Sequence, residues 1–241
     1  MNRTADVVIV GAGVIGSATA FELAKRGYKT LNIDKLPASG YGSTSNSCAI
    51  VRAHYSTWDG VAMAYEGFFY WDDWNKYLEV EDERGMAKYM KTGSIMFMLK
   101  GADHSKKSLN LFKEIGVEHE IWDLETLKKK MPIYSHDSYN GTSRPDEDDS
   151  FFDKSGDQIE GAVWTPGSGY VSDPQLATHN LQVATEAKGG EFLFDAEITE
   201  IRQSNGQIQG VTLKSGEQID CKVLVNVAGP HSFIINQMAG V

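Results

Sequence analysis

Three glycines near the start of the chain have the spacing of a pyrophosphate-binding turn. Gly11, Gly13 and Gly16 form the pattern GxGxxG directly after the apolar run at 7–10. This spacing allows a tight turn, a close approach of the backbone to a phosphate, and close packing of a helix on a strand. The N-terminus of the following helix offers unpaired N–H groups and a partial positive charge. The pattern therefore predicts a strand–turn–helix–strand unit that binds a dinucleotide.

A carboxylate follows the glycine turn at the position of a ribose ligand. Asp34 comes 18 residues after Gly16, at the end of a predicted strand over 28–33. A carboxylate at this place accepts hydrogen bonds from ribose hydroxyls and repels a 2′-phosphate, which disfavours NADP. The fingerprint serves FAD and NAD alike, and a glycine turn with no ligand is a further alternative.

The loop after Asp34 favours FAD over NAD. Residues 39–47 read SGYGSTSNS, where an NAD enzyme would normally proceed through further strand–helix units. Backbone N–H groups and hydroxyls in such a run can bind a pyrophosphate and ribityl oxygens. A flexible polar loop without a ligand is the alternative interpretation.

The elements that must position these residues have α/β character at both ends of the chain. Helix-forming residues follow the glycine turn, and strand and helix patterns return after residue 165, with a hairpin signal at Asn205-Gly206. Residues 81–164 show a different mixture of strands and helices. The sequence thus predicts a discontinuous dinucleotide domain, 1–80 and 165–241, with a second domain inserted at 81–164.

Composition narrows the class of protein further. The chain has 241 residues and a formal net charge of −10, which argues against nucleic acid or an anionic membrane surface as a partner. No apolar stretch approaches the ~18 residues of a membrane span, and the first apolar run is too short for a signal peptide.

Cys48 and Cys221 are far apart, so we expect no disulfide and a cytoplasmic location. The acidic run at 146–149 is interpreted as a solvated loop, and no metal site is predicted.

Four segments, in order, resemble the D-amino-acid oxidase-like superfamily of FAD enzymes, which includes sarcosine oxidase, glycine oxidase and dimethylglycine dehydrogenase. They read VVIVGAGVIGSATAFELAKRG with IDK, GYGSTSNSCAIVR, GSGYVSDPQLATHNLQVATEAKGG, and VLVNVAGPHS. The resemblance implies an α/β fold with a Rossmann-like FAD-binding domain and an inserted α+β substrate domain. Members of this superfamily normally continue well past the last segment, so we expect the substrate domain to be incomplete, with a missing C-terminal part or a second chain completing the fold.

The resemblance also implies roles for individual residues. FAD is expected to contact Gly11, Ala12, Gly13, Val14, Ile15, Gly16, Asp34, Lys35, Gly42, Ser43, Thr44, Ser45, Asn46, Ser47, Ile198, Ala228, Gly229 and Pro230. Arg52 matches the position of an arginine that binds the substrate carboxylate, although a structural or surface arginine is an equal alternative. The stretch 45–49 lacks the basic residues that sarcosine oxidase-like members carry there, which weakens a specific sarcosine oxidase assignment.

The expected function is oxidation, with FAD, of a C–N bond in a small amino acid or an N-methylated amine. The sequence leaves the substrate, the electron acceptor and the attachment of the flavin open. Two alternatives belong to other classes: an FAD-binding fragment or subunit without independent turnover, and an NAD-dependent dehydrogenase. The Ser-rich loop and the segments at 167–174 and 223–232 argue against the NAD enzyme.

Overall fold

The computed structural model describes residues 3–100, 103–139 and 144–241. The strands are β1 (Arg3–Thr4), β2 (Val7–Val10), β3 (Thr30–Ile33), β4 (Ile50–Val51), β5 (Tyr89–Met90), β6 (Ser94–Met98), β7 (Glu120–Asp123), β8 (Asp137–Tyr139), β9 (Lys154–Gln158), β10 (Gly161–Thr165), β11 (Gly169–Val171), β12 (Glu191–Leu193), β13 (Ile198–Ser204), β14 (Gln207–Leu213), β15 (Gln218–Asp220) and β16 (Val223–Asn226). The helices are α1 (Val14–Lys25), α2 (Trp58–Asp72), α3 (Trp74–Leu78), α4 (Asp103–Ile115), α5 (Leu124–Lys130), α6 (Pro174–Ala187) and α7 (Ser232–Ala239), with a short 3₁₀ helix at Gly229–His231.

The chain divides into two compact units, and both are discontinuous in sequence. The first unit comprises Met1–Ala49, Asp73–Tyr89 and Val171–Val241, and the second comprises Ile50–Asp72 and Met90–Tyr170. The sequence-based boundaries at 80 and 165 lie instead at 89/90 and 170/171, and in addition the segment 50–72 joins the second unit. It does so through the buried residues of α2, which share a core cluster with residues of α4 and β10.

The first unit is built on a parallel sheet with the strand order β12-β3-β2-β16. All four residues of β2 are buried, as expected for a β-branched run covered on both faces. Val8 and Val10 pack into one cluster with residues of β13, β14 and β15, while Val7 and Ile9 pack into another with Ala20 of α1. Because β2, β3 and β16 are parallel, their carboxyl ends meet at one edge, where the glycine turn begins.

A second sheet of the first unit has the order β1-β15-β14-β13. Its β13–β14 hairpin turns at Asn205-Gly206, with positive φ angles of 51° and 72°, which matches the predicted turn. The stretch 191–204 contains two strands, β12 and β13, which lie in different sheets. Asp195 separates them with a left-handed φ of 51°, and the Ala196 N–H donates to the Asp34 carbonyl at 3.0 Å.

The second unit contains the antiparallel sheet β6-β10-β7, the β8–β9 pair and the pairing of β4 with β11. The helical stretch 58–78 is interrupted at Asp73, which separates α2 from α3. The aromatic residues of this stretch are divided between the core and the surface. Phe68 and Trp74 are buried, but Phe69 is 61% exposed.

Two further findings concern only the described part of the chain. No helix there is both long and apolar enough to cross a membrane. No group of three or more His, Cys, Asp or Glu side chains within the same residues is arranged to hold a metal ion.

Candidate functional site

A cavity of about 800 Å³ lies in the first unit at the carboxyl ends of β2, β3 and β16. Its volume is in the range of small-molecule and cofactor sites. The predicted FAD contacts that line it are Gly11, Gly13, Val14, Ile15, Asp34, Lys35, Gly42, Ser43, Thr44, Ser47, Ile198, Ala228, Gly229 and Pro230. Ala12, Gly16, Ser45 and Asn46 do not line it, and Arg52 belongs to the second unit.

Two of the three motif glycines are required by the turn itself. Gly11 has a φ of +111°, and a Cβ atom there would lie 2.5 Å from the Val227 carbonyl oxygen. A Cβ atom on Gly16 would lie 2.0 Å from the Gly11 carbonyl oxygen, a separation that side chains do not tolerate. Both carbonyl oxygens belong to the backbone, so neither can move aside as the end of a flexible side chain could. These glycines therefore bring α1 close to β2 and β16 whether or not a ligand is bound.

Gly13 has a different role, because its backbone is open to the cavity. It is the N-cap of α1 with a φ of −71°, and it supplies no side chain to the helix N-terminus. A Cβ atom there would meet only the Thr44 hydroxyl, at 3.2 Å. The first turn of α1 thus presents backbone N–H groups and the positive end of the helix dipole to the cavity.

The Ser-rich loop folds onto this helix terminus. The Val14 N–H donates to the Thr44 hydroxyl at 3.1 Å, and the Gly40 N–H donates to the Ala12 carbonyl at 2.8 Å. A hydroxyl that accepts a hydrogen bond still has its own proton to donate. Thr44 can therefore link the helix N-terminus to an anionic oxygen in the cavity.

Asp34 ties the glycine turn to the loop that follows β3. One carboxylate oxygen accepts from the Ala12 N–H at 2.7 Å, and the other accepts from the Leu36 N–H at 2.9 Å. Each carboxylate oxygen has room for a second hydrogen bond. The carboxylate is thus positioned by backbone donors and retains acceptor capacity for ribose hydroxyls.

The side chain of Asn32 makes hydrogen bonds to the glycine turn. Its side chain is fully buried on β3 and donates to the carbonyl of Gly16 at 3.2 Å, with a longer contact of 3.4 Å to the carbonyl of Gly11. Sequence reasoning did not single out this residue, since a polar residue inside a strand gives no signal of its partners.

The cavity also contains residues that sequence reasoning missed. Ile234, Ile235 and Met238 line it from α7, and His231 and Glu197 line it as well. The Glu197 carboxylate accepts a hydrogen bond from Lys214, and this bond, with the charges of Lys214 and Lys35, lowers the pKa of the carboxyl. The apolar pattern of residues 233–238, followed by Gly240, was the available signal for a helix here.

These residues fit the ADP part of a dinucleotide. An open helix N-terminus and the Thr44 hydroxyl suit phosphate oxygens, and the Asp34 carboxylate suits ribose hydroxyls. The remaining lining is largely apolar, as in most cofactor sites. The donor set is therefore consistent with FAD at this cavity.

Arg52 lies in the second unit with an exposed side chain. Its Nη1 donates to the His54 carbonyl at 2.6 Å, and the guanidinium carbon lies 5.2 Å from the centre of the Tyr55 ring. A guanidinium has more donors than this single bond uses. Arg52 is thus fixed by its neighbours with N–H groups that remain available to a carboxylate.

The residue that holds Arg52 is itself anchored in a buried cluster of hydroxyls. His54 Nε2 lies 2.8 Å from the Thr165 hydroxyl, which is also 2.9 Å from the Ser94 hydroxyl and 3.1 Å from that of Ser168. A hydroxyl donates one hydrogen bond and accepts two. The Thr165 hydroxyl also donates to the Ser94 carbonyl at 3.3 Å. Thr165 is therefore the centre of the cluster that holds His54.

Comparison with known proteins shows what this chain is similar to. A putative sarcosine oxidase from Caenorhabditis elegans is 31% identical over 147 residues, which is 60% of this chain and 36% of that protein. Monomeric sarcosine oxidase from Bacillus sp. (strain B-0618) is 29% identical over 242 residues, which is 99% of this chain and 55% of that protein. The chain thus spans between about a third and somewhat more than half of these relatives.

A solved structure confirms the predicted fold class. L-proline dehydrogenase from P. horikoshii superposes with a TM-score of 0.80 at 23% identity, covering 100% of this chain and 57% of that one. At this level of identity the similarity shows the fold, a mixed α/β FAD-dependent oxidoreductase fold.

A family model described as FAD dependent oxidoreductase matches residues 6–241. This match confirms the predicted superfamily, and it confirms FAD as the cofactor in place of NAD. With the glycine turn, the Asp34 carboxylate and the cavity they line, it shows that the chain belongs to the DAO family of FAD-dependent oxidoreductases.

Proposed function

We propose that this chain binds FAD in the cavity of its first unit, as part of an enzyme that oxidises a C–N bond in a small amino acid or an N-methylated amine. The proposal that the cofactor is FAD rests on the groups that line the cavity. The open N-terminus of α1, the Thr44 hydroxyl and the Asp34 carboxylate line the same space of about 800 Å³.

The chain's own residues bind and orient the cofactor. Backbone N–H groups of the first turn of α1, together with the Thr44 hydroxyl, would bind the pyrophosphate, and Asp34 would bind the adenosine ribose. FAD, when bound, supplies the acceptor for the electrons taken from the substrate.

Arg52 is the proposed anchor of the substrate carboxylate. Its exposed guanidinium is held by the His54 carbonyl and the Tyr55 ring, so it is ordered before a ligand arrives. A planar guanidinium binds a carboxylate bidentately. The names of the relatives support this class of substrate, because sarcosine and L-proline are small amino acids that carry a carboxylate.

The cofactor proposal is tested by the absorption spectrum of the purified chain. The result we expect is a bound flavin that heat denaturation releases as FAD. A colourless protein that does not take up added FAD would contradict the proposal. Bound FAD without turnover of any amine or amino acid would favour the alternative of an FAD-binding fragment or subunit.

The substrate proposal is tested by turnover of sarcosine, L-proline and glycine, compared with methylamine, which lacks a carboxylate. Replacement Arg52→Ala should raise KM for the carboxylate substrates by roughly ten- to a hundredfold, since a charge-assisted pair contributes about 1.5–3 kcal/mol. It should leave KM for methylamine unchanged. Arg144→Ala, at an exposed arginine of the same unit, is the matched control. An unchanged KM for all substrates would remove Arg52 from the site.

A further inference from the structure

The segment that carries Arg52 folds into a tight turn against the core of the second unit. Ala53 is fully buried in the core cluster that also contains residues of α2 and α4. The Tyr55 N–H donates to the Ala53 carbonyl at 2.9 Å, which closes a three-residue turn. The His54 carbonyl, which belongs to this turn, accepts from Nη1 of Arg52. The direction of the guanidinium therefore depends on the orientation of one peptide group.

Two buried hydroxyls from other elements of the same unit hold this turn in place. Thr165, the last residue of β10, lies 2.8 Å from Nε2 of His54. Ser108, in α4, donates to the Tyr55 carbonyl at 3.2 Å. Neither hydroxyl-bearing residue has any exposed surface. A strand and a helix thus each hold one of the two residues that contact Arg52.

The His54 ring has little room to move without changing these contacts. It is buried, and its centre lies 5.6 Å from that of the fully buried Phe112 ring. Loss of a buried hydrogen-bond partner costs free energy, so the ring would shift if the Thr165 hydroxyl were removed. Such a shift would move the peptide group of His54 and alter its bond to Arg52.

We infer that Thr165 and Ser108 are positioning residues for Arg52. They act through the two residues that contact the guanidinium, and they lie too deep in the unit to touch a substrate. The inference rests on the proposed role of Arg52 as the anchor of the substrate carboxylate. An arginine that is already held loses less conformational freedom when it binds, which corresponds to roughly two- to tenfold in affinity.

The first test measures the guanidinium itself, through NMR hydrogen exchange of the Arg52 side-chain N–H groups. Thr165→Val and Ser108→Ala should each lose protection at this group, and Thr165→Ser, which keeps the hydroxyl, should retain it. Ile159→Val is the matched control, because Ile159 is a buried residue of the same unit in a different core cluster. It should lower stability without changing this exchange. Unchanged protection in either variant would overturn the role of that residue, and Ser108→Ala decides if Thr165→Val does not fold.

The second test compares turnover of sarcosine with that of methylamine. Both variants should raise KM for sarcosine by roughly two- to tenfold and leave KM for methylamine unchanged, a difference that a merely structural role would not produce. If Arg52→Ala raises KM for sarcosine and the two variants do not, the positioning role is overturned and the carboxylate anchor stands. If Arg52→Ala itself has no effect, both are overturned. A chain without turnover would contradict the proposed activity alone, and hydrogen exchange would then decide the inference.

Discussion

The glycine turn of the first unit and the hydroxyl cluster of the second unit both organise polar groups. The turn does so with backbone groups and the cluster with side chains. The turn uses backbone N–H and C=O groups within six neighbouring residues, Gly11 to Gly16. The cluster uses side chains: His54 and Thr165 are 111 positions apart, and Ser94 and Thr165 are 71 apart. A backbone site is encoded by local spacing, whereas a side-chain site depends on strand pairing.

The pairing of β6 with β10 creates the second site. Ser94 and Thr165 are cross-strand partners in this sheet, so their hydroxyls meet at 2.9 Å. Neighbouring His54 and Ser168 then complete the cluster around Thr165. No short sequence pattern contains these residues together. The two regions should therefore respond differently to substitution.

The largest effect is expected from Gly16→Ala in the glycine turn. The new Cβ atom would lie 2.0 Å from the Gly11 carbonyl oxygen, so α1 must shift relative to β2. We expect the free energy of unfolding, measured with urea, to fall by more than about 3 kcal/mol, and FAD binding to be lost.

Gly67→Ala is the matched control for this substitution. Gly67 lies inside α2, and a Cβ atom there would meet nothing within 4 Å. It should raise the free energy of unfolding by about 0.5–1 kcal/mol, because glycine is unfavourable in a helix. Equal effects of the two replacements would contradict the steric explanation of the motif.

The second largest effect is expected from Thr165→Val in the hydroxyl cluster. This replacement keeps the shape and removes the hydroxyl that His54, Ser94 and Ser168 share as a hydrogen-bond partner. The free energy of unfolding should fall by about 1–3 kcal/mol in a urea titration. Thr199→Val on β13 is the control, since Thr199 is exposed, and it should change stability by less than about 0.5 kcal/mol. A neutral Thr165→Val would show that the cluster does not contribute to stability.

Much of the first unit was predictable, because its signals are local. The β2–turn–α1–β3 unit follows from GxGxxG after a β-branched run, and the β13–β14 hairpin follows from the turn signal at Asn205-Gly206. Asp34 and Thr44 both line the cavity, but their hydrogen bonds with Ala12 and Val14 join residues distant in sequence, and no local pattern indicates them.

Other features of the fold have no local signal in the sequence, for physical reasons. The break at Asp73 separates α2 from α3 because the two helices belong to different units. The break at Asp195 separates β12 from β13 because they join different sheets. The contribution of α7 to the cavity was missed, since its apolar residues have the same spacing as a core-facing helix. Amphipathic spacing alone does not distinguish a core from a ligand wall.

A smaller effect is expected from Thr44→Val. This replacement removes a side-chain hydroxyl from a site that consists mainly of backbone groups. Val14 loses the acceptor of its N–H group, and the cavity loses a hydroxyl. FAD affinity should fall by roughly five- to tenfold, or about 1 kcal/mol, in a fluorescence titration. Ser45→Ala is the control, because the Ser45 hydroxyl donates to the Gly42 carbonyl and Ser45 does not line the cavity. Equal affinities of the two variants would mean that backbone groups alone hold the pyrophosphate.

The smallest effect is expected from a replacement of Asp82. It tests whether the response to substitution depends on the groups that build a polar site, backbone or side chain, or on the unit in which the site lies. Asp82 lies in the first unit, but its partners His179 and Asn180 are distant in sequence, at 2.6 and 2.8 Å from its carboxylate. Burial alone would raise the pKa of this carboxyl, but hydrogen bonds from the Arg84 N–H, His179 and Asn180 outweigh it, and the pKa is lowered from its usual value of 3.8.

The sign of the resulting pH dependence follows from that direction. The unfolded state binds the proton first as the pH falls, so the stabilisation by Asp82 is present above its unfolded pKa of 3.8 and is lost as the pH falls through the lower folded pKa. Urea titrations from neutral to acidic pH should show a steeper loss of stability for the wild type than for Asp82→Asn below about pH 4. Parallel curves would show that the charge of Asp82 makes no pH-dependent contribution to stability.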